Sequence, residues 1–151
     1  MNITKIDGGE LYEYISQSFK DDLDLYKYYD FTVNVSSIDD MVNDTYLKIL
    51  SYDTHFKNTE YYGVNDNLNK AGYFFVLKEP NCLVSFSLNN RYRKADSLKQ
   101  FFDFIKTTLD EDFICYMNEC NTRGIKWLEK CGMEKLTTKD FVTILNYKKC
   151  L

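Results

Sequence analysis

The fold is predicted most directly by the stretch Asn121-Thr-Arg-Gly-Ile-Lys-Trp-Leu-Glu-Lys-Cys-Gly-Met133. Its asparagine is a favourable N-cap residue, and the glycine near its end is placed to close a helix. The apolar run Phe113-Ile-Cys-Tyr-Met-Asn118 comes just before it and predicts a strand. Together the two segments predict a strand followed by a helix over 122–131.

Hydrophobic spacing predicts further elements on both sides of this unit. The first predicted helix runs from Glu10 to near Asp21, and a second begins at a cap at Ser36 or Ser37. A third begins at a cap at Asp96 or Ser97 and has one apolar face, formed by Leu98, Phe101, Phe102, Ile105 and Leu109. The segment Asp7-Gly-Gly9 predicts a turn. The predicted strands are 3–6, 60–64, 72–77, 82–88, 113–118 and 141–147. This order predicts a single α+β (mixed α/β) domain over 1–151, with a central mixed sheet, mostly antiparallel, flanked by helices.

Composition argues against two classes of partner. The chain has 151 residues, a formal net charge of -4 and a pI near 5.0. Nucleic-acid-binding proteins usually carry a basic face, so no nucleic-acid partner is expected. No apolar run approaches the roughly 20 residues of a membrane span, so no membrane partner is expected either.

The cysteines predict free thiols in a reducing compartment. Five of them occur, an odd number, and the first residues lack the apolar segment of a signal peptide. No C-x-x-C pair is present, and the single histidine, His55, is distant in sequence from the cysteines. This pattern predicts no metal site.

The element order and the spacing within 121–133 resemble the GNAT superfamily of acetyltransferases. Members of that family often have a small residue three positions after the asparagine and a Gly-Phe pair further on. The corresponding positions here hold Gly124 and Gly132-Met133. The resemblance implies a GNAT fold over most of the chain.

The residues that carry acetyl transfer in the family are largely replaced. The family tyrosine that often acts as the acid corresponds to Leu128, which cannot donate a proton. The indole of Trp127 is too weak an acid, and Tyr116 would need an unusual geometry. Glu60 and Glu79 are the carboxylates near the central strands, and each is more simply explained as a solvated strand end. No catalytic residue is therefore predicted.

The expected pyrophosphate loop reads Asn89-Asn-Arg-Tyr-Arg-Lys-Ala-Asp96 and contains no glycine. Glycines in such a loop let backbone N–H groups approach the phosphates, so the usual cradle is expected to be lost. The residues expected to hold acetyl-CoA, if it binds, are Arg91, Arg93, Lys94 and Asn121. The basic loop residues are otherwise explained as a solvated loop.

The segment 125–133 and the glycine-free loop are also similar to GNAT-like proteins of short-tailed bacteriophages, some of which are virion components. This resemblance implies a non-catalytic structural subunit of a virion, in a ring or adaptor at the portal or tail, without a cofactor. Its location would be the virion, which is assembled in the bacterial host cytoplasm. Its partners would be other virion proteins, in a homo-oligomer or as part of a larger assembly. The aromatic candidates for such contacts are Tyr26, Tyr28, Tyr29, Phe31, Tyr61 and Tyr62. Each of them is more simply explained as a core or half-buried residue.

The alternative function is an acetyl-CoA-dependent N-acetyltransferase with an atypical pyrophosphate loop, placed in the cytoplasm. A third possibility is a small-ligand or antitoxin-like binding module. Binding of acetyl-CoA separates the first two hypotheses, because specific binding must stabilise the native state.

Overall fold

The computed structural model describes residues 1–21, 37–52, 58–79 and 82–149. Its helices in chain order are α1 Gly8–Asp21, α2 Ile38–Ser51, α3 Ala95–Leu109 and α4 Thr122–Lys130. Its strands are β1 Asn2–Ile6, β2 Glu60–Asp66, β3 Asn69–Leu77, β4 Leu83–Leu88, β5 Phe113–Asn118, β6 Glu134–Lys139 and β7 Val142–Tyr147. No helix within these ranges is long and apolar enough to cross a membrane.

All seven strands belong to one sheet in the order β1-β2-β3-β4-β5-β7-β6. Every neighbouring pair is antiparallel except β4 and β5, which are parallel. The α3 segment connects these two parallel strands, as a parallel pair requires a long crossover. The predicted mixed, mostly antiparallel sheet with flanking helices is therefore confirmed.

The two faces of the sheet pack against different helices. One core places Phe74, Phe101, Phe102, Ile105 and Leu128 between the sheet and α3 with α4. The other core places Leu11, Ile15, Val42, Ile49 and Phe75 between the sheet and α1 with α2. Because alternate residues of β3 enter opposite cores, that strand is buried on both faces, as its aromatic and branched sequence predicts.

Two of the predicted helix caps are confirmed. The Ser37 hydroxyl accepts a hydrogen bond from the Asp40 amide at 3.1 Å, and α2 begins at the next residue. The Asn121 side chain accepts one from the Gly124 amide at 3.0 Å and begins α4. These caps satisfy amides that the first helical turn leaves unpaired.

Two predicted helix starts are wrong, and one strand was not predicted. The segment predicted as a turn at Asp7-Gly-Gly9 instead begins α1, because the Asp7 carboxylate accepts from the Glu10 amide at 2.8 Å and the Glu10 carboxylate accepts from the Asp7 amide at 3.4 Å. The cap of α3 is Lys94, which makes no side-chain capping bond, and not Asp96 or Ser97. Strand β6 was missed, since all six of its residues are exposed and it has no apolar face to recognise.

Candidate functional site

The parallel strands β4 and β5 are joined at only one end. Their pairing is confined to Leu83 opposite Ile114, where the Ile114 amide donates to the Cys82 carbonyl at 3.0 Å. Beyond that point β4 makes no ladder with β5, so its edge from Val84 to Leu88 is open in the middle of the sheet. An open strand edge offers unpaired N–H and C=O groups to an extended ligand.

A cleft of about 630 Å³ occupies this opening and passes from one face of the sheet to the other. A typical small-molecule site has a volume of roughly 300–1,000 Å³, so the cleft is large enough for a ligand of that class. On the α3/α4 face it is lined by Phe86, Leu98, Phe101, Asn121, Arg123, Gly124 and Trp127. On the α1/α2 face it is lined by Phe19, Thr45, Lys48, Ile49, Tyr52, Tyr73, Phe75, Ser85 and Ser87.

The wall formed by α4 is closely packed at Trp127. Its indole packs edge-on against the ring of Phe86 at 5.8 Å and the ring of Phe102 at 5.7 Å between centroids. Such pairs add to the stabilisation that burial provides. Trp127 is the single tryptophan of the chain, so its fluorescence reports on this cleft alone.

The loop between β4 and α3 is anchored by Asn89, whose side chain is buried and fully hydrogen-bonded. Its carbonyl oxygen accepts from the Ser18 hydroxyl at 2.7 Å. Its amide nitrogen donates to the Asp21 carboxylate at 2.7 Å and to the Lys70 carbonyl at 3.0 Å. The start of the loop is thus fixed to the last turn of α1 and to β3.

Three backbone amides of the same loop are already engaged. The amides of Tyr92, Arg93 and Lys94 donate to the carbonyls of Asn89, Asn90 and Tyr92 at 2.9–3.1 Å. They are therefore not available to a pyrophosphate. The amides of the first turn of α3 remain as a helix N-terminus, but Asp96 places a negative charge in that turn.

The structure brings two of the four predicted cofactor residues to the cleft. Arg93 lines it, with its Nε donating to the Leu88 carbonyl at 2.6 Å, and Asn121 lines it while capping α4. Arg91 and Lys94 do not line it; the Arg91 guanidinium lies over the Tyr92 ring, 4.7 Å from its centroid. A role for these four residues in holding a cofactor remains a prediction.

Four of the residues considered for proton transfer lie away from the cleft. Leu128 is 0% exposed and belongs to the core between the sheet and α3. Tyr116 is 52% exposed and does not line the cleft. Glu60 accepts a short hydrogen bond from the Tyr62 hydroxyl, which together with Lys78 and Lys5 holds the pKa of that carboxyl below its usual value. Glu79 accepts from the Asn58 side chain at 3.2 Å.

Arg123 and Tyr73 are two of the cleft residues that the sequence analysis did not predict. Arg123 follows the Asn121 cap by two positions, and its charge beside a helix N-terminus was a usable signal. Tyr73 lies on β3 with its Cα opposite Ser87 of β4. Only the pairing of β3 with β4 brings its ring to the opening, so no local pattern marks it.

The metal, cysteine and surface-contact predictions can be compared with the structure only where the residues are described. Among the described residues, no group of three His, Cys, Asp or Glu side chains is arranged to hold a metal ion, and His55 lies outside them. Cys82, Cys115, Cys120 and Cys131 are free thiols. Of the contact candidates, Tyr61 is buried in the α1/α2 core, in agreement with its simpler explanation as a core tyrosine. Tyr62 is half-buried and stacks on Phe74, and the others lie outside the described residues.

Several solved structures that are similar in fold to this chain are acetyltransferases. An acetyltransferase from Thermus thermophilus matches with a TM-score of 0.75 and 10% identity over 98% of this chain and 97% of that one. Spermidine N-acetyltransferase from Vibrio cholerae, in complex with CoA and spermine, matches with a TM-score of 0.64 and 11% identity over 98% and 95%. PaiA N-acetyltransferase from Thermoplasma acidophilum, in complex with coenzyme A, matches with a TM-score of 0.64 and 16% identity over 98% and 99%. These similarities establish that the chain has the GNAT fold.

No protein-family model and no curated protein sequence matches the chain. The neighbours described above are acetyltransferases, and they give no support to the virion, portal or tail role inferred from sequence. The prediction of assembly with other virion proteins or further copies of the chain stays a prediction.

Proposed function

We propose that this chain is an acyl-coenzyme A-dependent N-acetyltransferase that binds its acyl donor in the cleft between β4 and β5. The observation that carries the proposal is the open edge of β4, which begins where the pairing with β5 stops after Leu83 and Ile114. Coenzyme A has an extended arm with two amide groups, and such an arm can pair with the unpaired backbone of a strand edge. The low-identity neighbours that contain coenzyme A support this assignment.

Side chains, rather than loop amides, would hold the phosphate end. Arg93 and Arg123 both line the cleft, whereas the amides of 92–94 are engaged within their own turn. Arginine pairs well with phosphate oxygens through two parallel hydrogen bonds. Binding that depends on exposed arginines should weaken as the salt concentration rises.

The thioester supplies an activated acyl group. In the overall transfer the carbon–sulfur bond breaks, a carbon–nitrogen bond to the amine forms, and the proton released by the amine ends on the coenzyme A sulfur. Leu128 cannot carry that proton, because its side chain is apolar and buried in the core. The cleft is open to solvent, so water can carry it, and the chain's contribution is to bind and orient the two substrates.

Fluorescence of Trp127 provides the first test. Titration with coenzyme A and with acetyl-coenzyme A should change its emission in a saturable manner, and the ligand should raise the melting temperature. Arg93→Gln and Arg123→Gln should each weaken binding about tenfold, the equivalent of one lost charge-assisted hydrogen bond.

Lys130→Gln is the matched control, because it removes one positive charge from the exposed last turn of α4, away from the cleft. Arg91→Gln tests the residue predicted from sequence that lies off the cleft. The proposal is overturned if neither ligand gives a saturable change in fluorescence or a thermal shift. Turnover is then measured by mass spectrometry of the acetylated amine, with hydrolysis of acetyl-coenzyme A without amine as the background.

A further inference from the structure

The half of the cleft on the α1/α2 face is walled by aromatic and aliphatic side chains. Tyr52 stacks on Phe75 with 6.0 Å between centroids and 29° between planes. Phe19 and Ile49 belong to the same core and line the same half. This half lies across the sheet from Arg123 and Trp127, so it is the natural place for the second substrate.

No carboxylate lines this half among the residues that the structure describes. The charged residue that the described part of the chain places in this lining is Lys48, whose ammonium is 3.1 Å from the Asp44 carboxylate. A polyamine entering here would bring several ammonium groups next to apolar rings without an anion to meet each of them. Taking an unpaired charge out of water is costly, so this lining disfavours polycations.

Three hydroxyl groups lie along the floor of this half, next to the open edge of β4. Ser85 and Ser87 alternate along β4, and Tyr73 is opposite Ser87 on β3. The Tyr73 ring is 8% exposed, and its hydroxyl makes no hydrogen bond to another described residue. Burial raises the pKa of Tyr73, so the phenol stays neutral, and its oxygen can accept a hydrogen bond from the N–H of a bound amine or ammonium.

We propose that the acceptor is a monoamine with an aromatic or branched aliphatic body, seated between Phe19, Ile49 and the Tyr52–Phe75 stack, with its polar end at the Tyr73 hydroxyl. The inference rests on the proposed acetyltransferase function and adds the substrate class. It follows the general composition of small-molecule sites, in which apolar walls supply affinity and a few placed polar groups fix orientation. This acceptor class predicts that spermidine and related polyamines bind more weakly than an apolar monoamine.

The test compares phenethylamine and isoamylamine with spermidine and putrescine. Binding is measured by ligand-observed NMR with coenzyme A present, and product by mass spectrometry with acetyl-coenzyme A. Phenethylamine should bind at least about tenfold more tightly than spermidine, a difference of about 1.4 kcal/mol. Tyr73→Phe should weaken phenethylamine binding about fivefold, the value of one hydrogen bond, while binding of coenzyme A reported by Trp127 is retained.

Tyr116→Phe is the matched control, because it removes a phenol hydroxyl from an exposed position outside the cleft. Equal or tighter binding of spermidine overturns the inference, and so does an unchanged affinity of Tyr73→Phe for phenethylamine. The two proposals fail differently. If coenzyme A binds but the arylalkylamine does not, the acceptor class is wrong; if coenzyme A does not bind, the proposed function itself is wrong.

Discussion

Replacement of Asn89 by alanine tests how firmly the loop before α3 is held. The Asn89 side chain is 1% exposed and makes hydrogen bonds of 2.7, 2.7 and 3.0 Å to Ser18, Asp21 and the Lys70 carbonyl. Each neutral bond contributes about 1 kcal/mol, and the bond to a carboxylate somewhat more. In the variant, Asp21 keeps its hydrogen bond from Gln17 at 2.8 Å and is partly solvated. The energetic cost of losing the Asn89–Asp21 bond is therefore taken at the lower end of the range for such bonds. The expected loss for Asn89→Ala is about 3 kcal/mol in the free energy of unfolding.

Urea denaturation followed by circular dichroism measures this loss. Ser18→Ala is the comparison variant, because it removes only the 2.7 Å bond to Asn89 and should cost about 1 kcal/mol. The loss of stability in the double variant should be about 1 kcal/mol smaller than the sum of the two single losses, because both changes remove the same hydrogen bond. A loss below about 1 kcal/mol for Asn89→Ala, or strict additivity, would refute this account of the network. The Asn89→Ala protein should also bind coenzyme A more weakly, because the turn that positions Arg93 loses its anchor.

Three further predictions concern packing, pH and thiol reactivity. Gly72→Ala should lower the free energy of unfolding by about 2–3 kcal/mol in urea denaturation, because its Cβ would lie 2.4 Å from the Ser87 carbonyl oxygen. Gly132→Ala should lower it by about 1–2 kcal/mol, because Gly132 has a φ of +99°, while its Cβ would meet no atom within 4 Å. The folded-state pKa of Glu60 is lowered from 4.5, first by the hydrogen bond from the Tyr62 hydroxyl. The stability that the Glu60 carboxylate contributes is therefore present above pH 4.5 and is lost as the pH falls through the folded-state pKa. Tyr62→Phe should flatten the fall in melting temperature below pH 4.5. Among the four described cysteines, Cys120 is exposed and should react first with a thiol reagent in native protein. Burial raises the pKa of Cys115, which should react only after unfolding, as peptide mass spectrometry would show.

The elements that the sequence predicted correctly are those whose signals are local. In α3, Phe101, Phe102, Ile105 and Leu109 are all buried, as their helical spacing requires. Asn121 carries its own capping group, so the start of α4 could be read from one residue. The Asp7 and Glu10 pair was an equally local signal for the start of α1, and the neighbouring glycines concealed it.

The candidate site could be predicted only in part, because its decisive feature is not local. The cleft exists since β4 and β5 pair at Leu83 and Ile114 and then separate, and neither strand's sequence encodes that separation. Its lining comes from residues as distant in sequence as Phe19 and Trp127. Strand β6 was missed for a related reason: it is held by pairing with β7 and not by burial of an apolar face.

The helix that suggested acetyl transfer also limits how the transfer can occur. Asn121, Gly124 and Trp127, three residues apart, form the stripe of α4 that lines the cleft. Leu128 is one residue further, about 100° around the helix, and faces the core. A phenol at that position would have to displace core side chains before it could reach the cleft, so the missing acid reflects the packing of the whole helix face. In the proposed acyl transfer, the proton released by the amine would therefore be carried by water or by the hydroxyl groups on the opposite wall. For that reason Tyr73 tests the reaction more directly than Leu128.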